Sequence, residues 1–203
     1  MAHESRRSEA LQALTALKKS SNADLLREVE RLPENMTGEV IDGELFVMGR
    51  PSFAHQNVQA ELNYLMRRGG GGGPTGWLSL PEVEVRFPSS ELVVPDVSGW
   101  RAERIAGKEH ENPATVRPDW VCEILSDSTR LKDLGPKRAM YARQAVPHLW
   151  VIDPLAHILE AFALSGSRWV LLGMWAENQT VSEIDPFPEL QLELGRWWLP
   201  GLT

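Results

Sequence analysis

The chain has 203 residues, 42% hydrophobic and 24% charged, with a formal net charge of -7. That length buries roughly 70% of the unfolded surface without a staple, and a single cysteine, Cys122, excludes an internal disulfide and a Cys-cluster zinc site. The acidic total argues against a broad basic face for duplex nucleic acid. With no 18-residue apolar span and no secretory h-region, a soluble protein of the reducing cytoplasm with no membrane partner is expected.

In chain order, residues 8–32 read as helical. Leu11, Leu14 and Leu17 share a stripe, "KSSN" breaks it, and "ADLLREVERL" follows, capped by Asn22 and stopped at Pro33. Residues 1–33 are therefore expected to form an N-terminal helical arm, and 34–203 the main domain. "GEVIDGELFVMG" alternates about an Asp42-Gly43 turn, a hairpin signal. "PSFAHQNVQAELNYLMRRG" predicts a helix capped by Ser52, with Val58, Leu62, Leu65 and Met66 on one face. The glycine run Gly69 to Gly73 lacks the Lys and Ser/Thr of a phosphate loop and reads as a connector.

"WLSLPEVEVRFP" and "ELVVPDVSGW" predict two strands about a "PSS" turn, followed by a polar loop. Residues 119–125 predict a strand buried on both faces, although Glu123 interrupts its apolar run. "LKDLGPKRAMYARQAV" predicts a helix with Asp133 as cap and Pro136 in the first turn, and "HLWVID", "HILEAFAL" and "RWVLLGMW" predict three strands. Asp153 is expected to cap the turn after the first of these. The succession predicts an α/β fold, a mixed β-sheet flanked by helices. Between Ser128 and Gln144 five basic residues stand against one acid, a small patch that could face a polyanion or simply be a solvated helix face.

The chemistry is expected at Asp96 and Glu123, two acids where strands should be buried, since buried carboxylates persist when paired, hydrogen-bonded or metal-bound. Brought together at one end of adjacent strands, they would suit Mg2+ or Mn2+, with the main-chain carbonyl of Ile124 as a third oxygen. Lys137 shares a stripe with Leu134, Tyr141 and Ala145 at helical spacing and is the expected counter-cation, with Arg138 as alternate. It would orient or deprotonate the attacking water and stabilise the phosphate. Hydrogen bonds to loop backbone or a structural arginine would explain isolated strand acids equally well. The eight tryptophans are expected in core and interface rather than as base-stacking platforms.

"GEVIDGEL", "VVPDVSGW" and "RPDWVCEILSDSTRLKDLGPKRAMYARQAVPHLWVIDP" resemble the Uma-two family of bacterial endonuclease-like proteins in the PD-(D/E)xK superfamily, from about Asp24 to the end. The resemblance implies a restriction-endonuclease-like core. It implies that Asp96 and Glu123 hold a metal, that Lys137 is the motif lysine migrated into the helix because Leu125 fills its usual place, and that Glu39, His55 and Tyr141 are further family positions. Asp127 stands where the family has proline, and Ala145 where it has glycine. The expected function is hydrolysis of nucleic acid, DNA foremost, by a homodimer; the competitors are a nuclease-fold binding module without turnover and a hydrolase using paired carboxylates on another substrate.

Overall fold

The computed structural model describes residues 21–67 and 76–199. Its centre is a six-stranded mixed sheet whose spatial order is β10-β9-β8-β7-β6-β3. The strands are β3 (Trp77–Pro81), β6 (Val97–Arg101), β7 (Trp120–Ile124), β8 (His148–Asp153), β9 (Ile158–Ser165) and β10 (Arg168–Ala176). Only β7 and β8 run parallel; a parallel pair needs a crossover, and a helix over residues 130–143 supplies it. A second, antiparallel sheet of order β2-β1-β5-β4 is formed by β1 (Thr37–Ile41), β2 (Glu44–Met48), β4 (Val85–Arg86) and β5 (Leu92–Val93). A short pair, β11 (Thr180–Val181) with β12 (Leu192–Glu193), completes the set.

The two runs expected to be single strands each divide between the two sheets. "WLSLPEVEVRFP" supplies β3 to the large sheet and β4 to the small one, with Glu82 at a φ of 51° between them. "ELVVPDVSGW" supplies β5 and then β6, and the change falls at Pro95, which has no N–H for a ladder. Asp96 consequently sits at the hand-over between sheets. The β1/β2 hairpin is as expected, with Asp42 and Gly43 both at positive φ, 52° and 74°, as a two-residue turn matched to strand twist requires.

Helix α1 (Asn22–Val29) lies on the small sheet, with Leu25 fully buried beside Val40 and Leu92. Its cap is Ser21 rather than Asn22: the Ser21 side chain accepts from Asp24 N–H, while the Asp24 carboxylate receives the Ser21 N–H. The expected helix over Leu11, Leu14 and Leu17 and the connector Gly69 to Gly73 lie outside the described residues. Helix α2 (Phe53–Arg67) has Ser52 accepting from His55 N–H at 3.3 Å, and it buries Val58, Leu62 and Met66 against one face of the large sheet. Each such side chain stabilises by about 1.5–3 kcal/mol.

On that face Trp120, Cys122 and Ile124 of β7 meet Trp150, Phe187, Leu194 and Trp197. The C-terminal Trp197 and Trp198 are thus core residues of this chain, 1% and 8% exposed. The opposite face receives the crossover helix α4, which starts at Arg130–Lys132, widens into a π turn over Asp133–Lys137 and resumes as Arg138–Arg143. Asp133 is therefore inside the helix and not its cap, and Pro136, lacking an N–H, stands in the π turn where the regular ladder is already interrupted. Between Ala102–Ile105, a single helical turn (α3), and β7 runs the expected polar loop. No helix among the described residues is long and apolar enough to cross a membrane.

Candidate active site

An open cleft of about 990 Å³ lies where β1, α2, the β5–β6 hand-over, the end of β7 and α4 meet. His55, Asp96, Glu123 and Lys137 line its wall, and Glu39 lies outside it, fully buried behind the wall on Lys137. The β7 register explains why Glu123 is tolerated. Side chains alternate across a strand, so Glu123 leaves on the α4 side while Cys122 and Ile124 enter the aromatic core.

Glu123 accepts two hydrogen bonds from α4, from Lys137 Nζ at 2.8 Å and from Tyr141 Oη at 2.5 Å. Lys137, 2% exposed, spends its three donors inside the protein: on Glu123, on Glu39 Oε1 at 2.7 Å and on the Val94 carbonyl at 3.2 Å. Glu39 Oε1 also receives the Val94 N–H at 2.8 Å, and its Oε2 is paired with Lys132 Nζ. Asp96 takes the Ile124 N–H at 2.6 Å on Oδ2 and stands 3.1 Å from His55 Nε2 through Oδ1. The main chain beside Glu123 is thus tied directly to Asp96.

Four acids, Glu39, Asp96, Glu123 and Asp133, face two lysines here, and that imbalance shapes their ionisation. Burial pushes Glu123 up to about 8; Lys137 opposes this, while Asp133, Asp96 and Glu39 reinforce it. The two donors on Glu123 match its ionised form, which burial among other acids makes costly. Burial likewise raises Asp133 against the pull of Lys137 and Lys132. Burial also works to raise Glu39, but Lys137 and Lys132 outweigh it and its carboxyl falls below the ordinary range. Lys137 is driven well above its ordinary value, burial being overcome by Glu123 and Glu39. A lysine held charged has no lone pair with which to take a proton from water, which favours the orienting role over the deprotonating one. His55 is raised: burial lowers it, but its hydrogen bond to Asp96 and the charge there prevail. Tyr141 is raised well above its usual value by burial and by Glu123, so its hydroxyl stays a donor.

Two residues of the cleft escaped the sequence reading. Lys132 and Lys137 are five positions apart, which on a regular α-helix places them about 140° apart around the axis. The π turn closes its hydrogen bonds over five residues, so positions five apart come to one side, and both lysines grip Glu39. The same widening turns Leu134 out to 37% exposure, although α spacing had put it on the buried stripe. Asp133, read as a cap, lines the cleft at 4% exposure, and its Oδ1 lacks a hydrogen-bond partner. A proline inside a helix between two lysines at i, i+5 was the available signal.

The basic patch expected on this helix does not face solvent as a unit. Arg130 is paired with Asp153, Arg138 stacks 4.1 Å over the Phe162 ring, and Arg143 is bound to Asp42 and Glu91. Arg138 is therefore not an alternate to Lys137. Asp153 caps its turn as expected, accepting the Leu155 and Ala156 N–H groups at 3.0 Å each. Leu125, in the place of the motif lysine, is 5% exposed and packs with Tyr141 and Val121, while Asp127 lies exposed on the cleft wall.

A hard divalent cation fits these residues by charge and donor type: the acids outnumber the lysines, and Glu123 and Asp133 are held at raised pKa. Among the described residues no three His, Cys, Asp or Glu side chains already converge at ligand spacing. Asp96 and Glu123 would have to trade present hydrogen bonds for the ion.

A model of the Uma2 (Uma-two) family, described as "Putative restriction endonuclease", matches residues 26–195. The chain belongs to the Uma2 family. A crystal structure described as "a putative nuclease belonging to DUF820 from Anabaena variabilis ATCC 29413" superposes with a TM-score of 0.66 at 22% identity, over 86% of this chain and 98% of that one. This likeness establishes the shared fold. No curated protein matches the chain. Asp96 and Glu123 both line the cleft at the β6/β7 end.

Proposed function

We propose that this Uma2 protein is a metal-dependent endonuclease that hydrolyses phosphodiester bonds of nucleic acid, DNA foremost. One observation carries the reading: Asp96, at the β5–β6 hand-over, and Glu123, in β7, line one cleft, Asp96 accepts the N–H of Ile124 next to Glu123, and Lys137 donates to Glu123. Asp96, Glu123 and the Ile124 carbonyl are the proposed holders of Mg2+ or Mn2+, which would neutralise phosphate charge and activate water. The protein's own groups do the positioning. Lys137 and Tyr141 fix both Glu123 oxygens, Glu39 anchors Lys137, and His55 holds Asp96. Phe53, 84% exposed at the rim, offers a ring on which a base could stack.

Incubation with single-stranded, duplex and branched DNA plus Mn2+ tests the reading, with Asp96→Ala as control. Cleavage that disappears in the control is expected; cleavage unchanged by it would remove the site. The competing reading, a binding module without turnover, draws on the present engagement of Asp96 and Glu123 by protein donors, and predicts DNA binding with no cleavage in any metal. We propose the cytoplasm as its compartment and a homodimer as its assembly. With Trp197 and Trp198 in the core, an apolar surface available to a partner copy among the described residues is the edge strand β10, where Val170, Leu171 and Met174 are about half exposed. A monomer in sedimentation velocity would reject the dimer.

A further inference from the structure

Lys137 was expected both to serve Glu123 and to contact the substrate phosphate. Its ammonium has three N–H donors, and all three are satisfied internally, by Glu39, Glu123 and the Val94 carbonyl, with 2% of the side chain exposed. Releasing any of them to a substrate would leave a buried carboxylate or carbonyl without its partner. The lysine and arginine side chains that line the cleft among the described residues are Arg50, Lys132 and Lys137, and Arg50 is an exposed residue of the rim. Lys132 differs from both. Its ammonium is held against Glu39 Oε2, its second contact is the weakly accepting Met48 Sδ, and Asp133 Oδ1 lies 3.3 Å away without forming a hydrogen bond.

We infer that Lys132, not Lys137, is the cation that contacts a backbone phosphate of the bound nucleic acid, and that Lys137 is a positioning residue for Glu123. The inference rests on the nucleic-acid reading of the same cleft. The π turn is what makes it possible, because it brings Lys132 round to the side of Glu39 and Lys137. Glu39 divides the labour: one oxygen holds Lys137 for Glu123, and the other holds Lys132 at the cleft wall. Met48 can yield its contact at little loss, since a thioether is a weak acceptor, so a phosphate oxygen can take that donor. Asp133 beside it discourages a bound anion from sliding deeper.

Two substitutions separate the lysines. Lys132→Gln leaves Glu39 with Lys137 and the Val94 N–H, so the fold is expected to survive, which a melting curve checks. Binding of a short labelled single-stranded DNA is followed by anisotropy in chelator across a salt series, and cleavage is followed in Mn2+. Lys132→Gln should weaken binding roughly 10-fold or more and reduce the slope of log K against log salt by about 0.7, one single-strand phosphate contact. Lys132→Arg should restore the slope. Lys137→Gln should leave the slope unchanged while lowering kcat. Unaltered affinity and slope in Lys132→Gln, loss of slope in Lys137→Gln instead, or no DNA binding by the unsubstituted protein would each overturn the inference. If the unsubstituted protein binds DNA with the Lys132-dependent slope but cleaves nothing in Mn2+, the phosphate contact stands and the nuclease reading fails. If it cleaves and Lys132→Gln behaves identically, only the contact fails.

Discussion

The two faces of β7 are equally buried and differ in what burial does for them. On one, Trp120 meets Trp150 and Phe187 edge to face with ring centroids 5.0 Å apart, and burial is itself the stabilising term. On the other, Glu123 is as deep as its neighbours, 2% exposed, but burial opposes it, and the site persists because Lys137, Tyr141, Glu39 and Lys132 satisfy one another. The first face tolerates loss in proportion to volume. The second depends on partners being present together, which is the character of a functional site rather than of a core.

That difference can be broken deliberately. Lys137→Met is expected to cost the most, roughly 3–5 kcal/mol, because it leaves the buried Glu123 without its cation and Glu39 with Lys132 alone; urea denaturation measures it. The accompanying change Glu123→Gln should recover most of the loss, since it removes the charge left unpaired. Phe187→Ala should cost about 3 kcal/mol through its cavity, and no change of charge in the cleft should recover it. Recovery in both cases, or in neither, would erase the distinction between the faces.

A pH series sharpens the same contrast. The pKa of Glu123 is raised in the fold from about 4.5 to about 8, so its contribution to stability is full below the lower value and is lost as pH rises through the upper one. Chelator-treated protein should therefore melt at lower temperature at pH 8 than at pH 5, and Glu123→Gln should flatten that fall. An equal fall in Glu123→Gln would assign it to another group. The smallest effect is at the far end of α4. Ala145 holds a φ of 54° just past the helix, where the family has glycine, and Ala145→Gly should gain about 1 kcal/mol.

The strands β7 to β10, the hairpin and α2 were legible because a single period governs each of them. Asp96, Glu123 and Lys137 were legible as a trio because the first two interrupt buried strand ends and the third shares a helix face with Tyr141. What was hidden arose where local rules compete. The hand-over of one alternating run between two sheets leaves no mark except Pro95 and Glu82, and the π turn shifts the phase of α4 without altering its composition. Lys132 and Asp133 fell in that phase shift, and so they were read as surface and cap. The expectation of core and interface for the tryptophans left open which applies to Trp197 and Trp198, because the segment that carries Phe187 and Leu194 to them has no periodicity to reveal its burial.

The central claim, a metal held by Asp96 and Glu123, is tested most directly by soaking crystals of the protein in Mn2+ and mapping the anomalous signal. The account predicts one peak about 2.0–2.3 Å from a carboxylate oxygen of each residue, with the Asp96 hydrogen bond to the Ile124 N–H lengthened or lost. A cleft with no peak, in which Asp96 still accepts that N–H and Glu123 still accepts from Lys137 and Tyr141, would contradict it.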